Sequence, residues 1–504
     1  MKRMASALAA LIVAWSAGAA LGQSTLRIGL AEDPDVLDPS LARTYVGRIV
    51  FASLCDKLFD IDDKLNVVAQ LALTHETSPD GKTVTLTLRP GVKFHDGEPF
   101  DAEAAKYSLE RHLTLPGSFR KPEIAAIDRI EVVDPHTLRL QLKTPFAPLI
   151  AQLTDRAGMM VSPKAAKAAG DKFGLNPVCA GPYKFVERVQ QDRIVVEKFQ
   201  DYWNKDDVHI DRIVYRPITD STTRLANLQS GSLEFIERML ATDIPRVKTD
   251  AKLKFASVVE LGYQGITINV ANGERAKNPL GQDARVRQAF QAAIDREAVN
   301  QVVYNGEFVP GNQWVSPQNP WYVASLPVPP RDLAKAKALL QQAGAKPPVA
   351  VELMVPNNPE TRQAAEVIQA MTAEAGFDVG IRVTEFATSL NEAEQGNFQA
   401  YLLNWSGRTD PDGNIYVFDA CGAPQNVAHY CDKDVDSWLA QARNVSDVAE
   451  RKALYEKAAR KLLSEGPIIY LYHRKWLFAH TARLEGFRTI PDGLVRVVGL
   501  RLRQ

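Results

Sequence analysis

VAVELMVPNNPETRQAAEVIQAMTAEAGFDVGIRVTEFATSLNEAEQGNFQAYLLNW, residues 349–405, changes period several times within one run. Val349, Val351, Leu353 and Val355 alternate as a strand. Asn358 and Pro359 then open a helix over residues 360–375, and Gly376 stops it. Val379, Ile381 and Val383 mark a second strand, Leu390 sits in a short helix, and residues 401–403 form a third strand. This is βαβαβ. Right-handed crossovers make such strands parallel neighbours in one sheet, so the class is α/β.

Working outward, the third strand runs into QAYLLNWSGRTDPDGNIYVF, residues 399–418. A buried strand that spills into a loop with one large aromatic and opposed charges is how open α/β sheets present ligands, beyond the strands' carboxyl ends. The loops at 356–359 and 405–413 both follow strand C-termini and open on one edge, so Asn357 and Trp405 can face one ligand. The plainer reading of the same residues is a tight turn with an incidental tryptophan.

Upstream the pattern differs. TLRIGL at 25–30 alternates as a strand, AEDPDVLDPS is turn-rich, and residues 44–58 look helical. Val84, Leu86 and Leu88 follow period two, Arg89-Pro90-Gly91 turns, and Val92 and Phe94 resume the alternation. Asp101 caps a helix from Ala102, and a hairpin turns at Asp134-Pro135-His136, so residues 60–175 read as a small α+β insertion. In the second half Asp283 and Asp332 cap further helices.

At 504 residues the chain exceeds a single core. Residues 1–22 read as a secretory signal: Lys2 and Arg3, an apolar stretch, then Ala20-Leu21-Gly22. Without Lys2 and Arg3, 58 basic residues face 60 acidic ones, which gives no support for nucleic-acid or membrane-surface binding. No later apolar run spans a bilayer, so the exported product is expected not to be membrane-embedded. Export permits disulfides, and Cys55, Cys179, Cys421 and Cys431 allow three pairings. Cys421 with Cys431 would close a short loop, leaving Cys55 with Cys179. A competing reading makes CGAPQNVAHYC a metal site with His429, although it lacks a fourth ligand at familiar spacing.

Motifs for catalysis are missing. Gly81-Lys82-Thr83 sits in a hairpin context, not in a phosphate loop, and Ser118 to Lys121 matches Ser-x-x-Lys without partner motifs. Neither a cofactor nor a metal is indicated. Tyr45, Tyr263, Trp314, Trp321 and Tyr322 can line a cleft, and each can equally be a core packer.

The stretch from LCDKLFDIDD to AEAAKYSLER at 54–111 resembles the N-terminal motif of extracellular solute-binding proteins of the oligopeptide, dipeptide and nickel family. CAGPYKF and FQDYW at 179–203, RVRQAFQAAIDREAVNQVVYNG at 285–306 and DLAKAKALLQQAG at 332–344 are similar to its later segments. The resemblance implies a two-lobed periplasmic binding protein fold with a hinge. Lobe I would hold residues 23–262 and 480–504, including the 60–175 insertion, and lobe II residues 263–479. It also implies a monomeric periplasmic receptor that hands a small solute to the membrane permease of an ABC importer. An exported hydrolase or transferase on the same scaffold, or a metal-chelate or haem carrier, are the alternatives.

In the dipeptide-binding branch an Asp three residues after the tryptophan holds the peptide's amino group, and an Arg after the earlier strand holds its carboxylate. Here those positions are Arg408 and Val355. Arg408 therefore favours an anionic or acid-bearing ligand, unless it braces the loop by pairing with Asp410 or Asp412. The expected ligand set is Tyr45, Tyr263, Asn357, Trp405, Ser406, Gly407, Arg408 and Asp410.

Overall fold

The computed structural model describes residues 24–503. The expected signal segment, residues 1–22, lies outside the described residues.

Two mixed sheets organise the chain. The first has seven strands in the order Leu253–Val259, Lys475–Thr481, Phe235–Ile236, Thr25–Leu30, Arg212–Pro217, Arg193–Lys198 and Tyr183–Val189. Alternation in TLRIGL sends Leu26, Ile28 and Leu30 into the core, and Thr25–Leu30 pairs in parallel with Arg212–Pro217 and Phe235–Ile236. Helix Tyr45–Leu54 is apolar nearly all round and is accordingly buried nearly all round, with the Thr44 side chain accepting from the Gly47 amide as its cap.

The second sheet runs Val309–Pro310, Ile468–His473, Tyr263–Ile268, Ala400–Trp405, Val349–Pro356 and Phe377–Thr384. Val349–Pro356 pairs in parallel with both Phe377–Thr384 and Ala400–Trp405, as βαβαβ requires. Helix Pro359–Ala373 starts where Asn358 accepts from the Thr361 amide with Pro359 in its first turn. Two details of the downstream segment differ from expectation. Trp405 is the last residue of its strand, paired with Tyr263, and the Asp-Pro-Asp-Gly sequence opens helix Asp412–Asp419 where a turn was the plainer reading.

A third, antiparallel sheet of Ala72–Thr77, Thr83–Leu88, Thr137–Leu142 and Ile127–Asp134 packs with helix Ala102–Thr114 around its own core, including Leu86, Leu109 and Leu140. Val92 and Phe94 are buried in that core but lie outside any named strand, so the expected continuation of the meander ends at Leu88.

The chain passes between the two large sheets twice. It leaves the first at Val259 and enters the second at Tyr263; it leaves the second at His473 and re-enters the first at Lys475. The return therefore falls at Arg474, whereas the expected boundary was 479/480. Residues 468–481, IIYLYHRKWLFAHT, hold no Gly or Pro, and the change of sheet coincides with the polar triplet His473-Arg474-Lys475 that separates two apolar runs.

Cys55 and Cys179 are bonded, as are Cys421 and Cys431. The second bond consumes both thiols of the metal reading of CGAPQNVAHYC, which is thereby overturned. Among the described residues, no group of three or more His, Cys, Asp or Glu side chains is placed to hold a metal ion, and no helix is long and apolar enough to cross a membrane.

Candidate functional site

The two large sheets present their parallel-strand carboxyl ends to one another. Glu32 follows Thr25–Leu30, Arg238 follows Phe235–Ile236, Asn357 follows Val349–Pro356, and Trp405 ends Ala400–Trp405. Between them lie two adjoining chambers of about 80 and 60 Å³ that share Glu32, Arg238, Phe386, Asn404 and Arg474 as walls. Open α/β sheets place ligands at this kind of edge, and here two such edges face each other.

The first chamber is rich in guanidinium groups. Arg238 donates to Glu32 at 2.6 Å and to Glu237 at 2.8 Å, and its Nη2 is buried without a partner. Burial works against its charge, but Glu237 and Glu32 more than offset that and hold the group firmly protonated. Its backbone is in the left-handed region, φ 49°, where a long side chain is rarely found. Arg224, itself buried, donates Nη2 to the Arg238 carbonyl at 2.8 Å and Nη1 to the carbonyls of Ile218 and Thr219. Its own charge is thus spent on fastening the backbone that carries Arg238. Arg474, at the second crossing, donates to Gln264 at 2.8 Å and lies 3.2 Å from Glu260. Desolvation raises the half-buried Glu360 carboxyl even though Arg474, Arg224 and Arg238 pull it down.

The second chamber is aromatic. Tyr45 stacks on Trp476, centroids 4.2 Å apart, and donates its hydroxyl to the Gly493 carbonyl. Trp405 meets Phe418 edge to face at 4.9 Å and donates Nε1 to Asn414 at 2.9 Å. Its ring is therefore held in place from behind.

Of the eight expected residues, Tyr45, Trp405 and Ser406 line the aromatic chamber and Asn357 lines the charged one. The other four are elsewhere. Tyr263 is buried in a core cluster against Phe418 and Tyr470. Gly407 has φ 82°, and a Cβ there would lie 2.3 Å from the Leu261 carbonyl carbon, so it lets the loop touch the first crossing. Asp410 makes a two-point pair with Arg451 at 2.9 and 2.8 Å, and Arg443 takes Asp412 at 2.9 Å. With both carboxylates occupied, Arg408 turns the other way. It lies 2.8 Å from Asp155 of the first half of the chain, outside both chambers, which corrects both the ligand and the loop-brace expectations.

The cations that line both chambers are Arg238 and Arg474, with Glu32 and Trp476 beside them, while Arg224 and Lys475 line the first chamber alone and Arg43 the second. None carries a local sequence signal. Glu32 lies in a turn-rich stretch, Arg238 follows a two-residue strand, and the two are 206 residues apart. The one usable hint was that Glu32 and Arg238 each follow an apolar strand.

A family model of bacterial extracellular solute-binding proteins, family 5 Middle, matches residues 66–426. The glutathione-binding protein GsiB of Pectobacterium atrosepticum is 31% identical over 470 residues, 91% of this chain and 90% of that protein. GsiB of Salmonella typhimurium is 32% identical over 499 residues, 96% of each chain. Among solved structures, the binding protein AgaA from A. tumefacien R10, in complex with agropinic acid, superposes with a TM-score of 0.85 at 26% identity, covering 95% of this chain and 99% of that one. The ABC transporter-associated periplasmic binding protein DppA from Helicobacter pylori, in complex with peptide STSA, gives 0.87 at 25% identity, with 96% and 98% covered. All four are named as binding proteins and none as an enzyme. With two sheets, two crossings and a cleft between facing strand ends, the chain belongs to the bacterial extracellular solute-binding proteins of family 5 and has their two-lobed fold.

Proposed function

We propose that this protein is the exported, monomeric receptor of an ABC importer, and that it captures a small acid-bearing, peptide-like solute between its two sheets. The observation that carries the ligand class is Arg238. It lines both chambers, stays charged, is fixed at an unfavourable φ by Arg224, and keeps one buried guanidinium nitrogen without a partner. A planar fork with a free donor suits a carboxylate, and Glu32 beside it suits an ammonium on the same solute. The stacked Tyr45 and Trp476 and the braced Trp405 supply flat apolar walls for a backbone or side chain. Relatives named for glutathione and a structural neighbour holding agropinic acid support the same class. Closure of the two halves would be a hinge motion at residues 260–262 and 474.

Thermal-shift screening followed by calorimetry tests the reading, with reduced glutathione, its carboxyl-amidated form, neutral dipeptides and an opine as probes. A probe at a hundred times its Kd adds about 2.7 kcal/mol of stability. Free-acid probes are expected to bind, and Arg238→Gln to weaken them by roughly 10–100-fold, the worth of one charge-assisted hydrogen bond. Equal binding of free-acid and amidated glutathione would overturn the assignment of Arg238.

A further inference from the structure

The Trp405 loop reaches beyond the chambers. Arg408 Nε lies 2.8 Å from Asp155, and both side chains are almost wholly buried. The same Asp155 carboxylate accepts from Arg48 Nε at 3.1 Å, and Arg48 Nη1 donates to Ser406 at 3.2 Å. Arg48 lies in helix Tyr45–Leu54, packed with the first sheet, and Asp155 in a turn whose neighbours Leu153 and Ala157 enter the core of the third sheet, whereas Arg408 and Ser406 follow strand Ala400–Trp405 of the second. Other contacts join the same parts of the chain: the Arg43–Glu394 pair, in which Glu394 keeps 41% of its side-chain surface, and Arg443, which lies over Phe146 and accepts from the Ala147 amide at its carbonyl. Arg408 also lies over the Trp405 ring, 4.5 Å from its centroid, on a residue that lines the aromatic chamber.

We propose that Arg408 and Asp155 form the latch that holds the two halves together over a bound solute, acting on affinity without touching it. This rests on the cleft being the solute's seat. Two features make it a latch and not a permanent brace. Burying a guanidinium costs several kcal/mol per ion, and the partner recovers that only with good geometry. Here Arg408 must share one carboxylate with Arg48, and Arg156 lies 3.9 Å from it. Burial pushes Arg408 down to about 10, with Asp155 opposing and Arg48 and Arg156 adding to the fall. Three guanidinium groups thus divide one carboxylate, which limits the gain on closing, and a solute seated on Trp405 can tip the balance.

The test places spin labels at Leu175→Cys and Val448→Cys, exposed positions on the two halves, and measures their distance distribution. Wild type and Arg408→Gln are compared without additive and with reduced glutathione. Arg408→Gln removes one of several crowded cations and is expected to fold. Asp155→Asn is the second variant. Both are expected to cut the short-distance population at least fivefold. The glutathione Kd should rise by the same factor, because apparent affinity scales with the closed fraction, and the preference between glutathione and neutral dipeptides should not change. An unchanged distribution in the variants, or no short-distance population in wild type, would overturn the latch. If wild type binds none of the probes, the ligand class fails instead, and the distances in additive-free protein still decide the latch.

Discussion

Asp419→Asn should raise stability, with a gain that is largest at alkaline pH and shrinks steadily as pH falls toward 4. Asp419 ends helix Asp412–Asp419, where a negative charge meets the negative end of the helix dipole. It is 1% exposed, its Oδ2 has no partner, and no cation compensates it. Desolvation alone raises its carboxyl from 3.8 to about 8. Between those values the folded chain keeps a proton that the unfolded chain has released. Stability due to this group is thus fully present below about 3.8 and falls as pH rises toward 8. At 1.36 kcal/mol per unit the ceiling is on the order of 5 kcal/mol, and relaxation with water entry reduces it to roughly 3. If the described residues, 24–503, melt as one unit, that is about 3 °C in Tm; if the half around the second sheet melts alone, it is about 7 °C. Thermal unfolding of both proteins from pH 5 to 9 measures it. A Tm difference that stays flat across this range, or a variant that loses ground as pH rises, would refute the account.

Further outcomes are expected at other positions. Trp405→Ala should weaken reduced glutathione by roughly 5–150-fold in calorimetry, the worth of one buried aromatic wall, with a smaller loss for Trp405→Phe. Gly407→Ala, with φ 82° and its Cβ driven to 2.3 Å from Leu261, should lower the chemical-denaturation midpoint by an amount equivalent to a few kcal/mol. Replacing Cys421 and Cys431 together by Ser removes a bridge across a separation of 10 residues and should cost about 2–3 kcal/mol by the same assay.

The alternation of Val349, Val351, Leu353 and Val355, the cap at Asn358 and the stop at Gly376 were legible because periodicity and capping are local. So was Trp405 as a wall of the cleft, since a strand's end has a fixed place in a parallel sheet. The partner of Arg408 was not legible. Its nearest carboxylates, Asp410 and Asp412, are held by Arg451 and Arg443, and Asp155 reaches it only through the third dimension. The same holds for Arg238, a residue after a two-residue strand that becomes the charged centre of the site because Glu32 and Arg224 are folded against it. What the sequence by itself determined was most of the element pattern, the class and the edge of the sheet on which the chambers open. Which cations line the chambers, and which one meets Asp155, was decided only by packing, because ion pairs form between whichever charges the fold brings within a few ångströms, however far apart they lie along the chain.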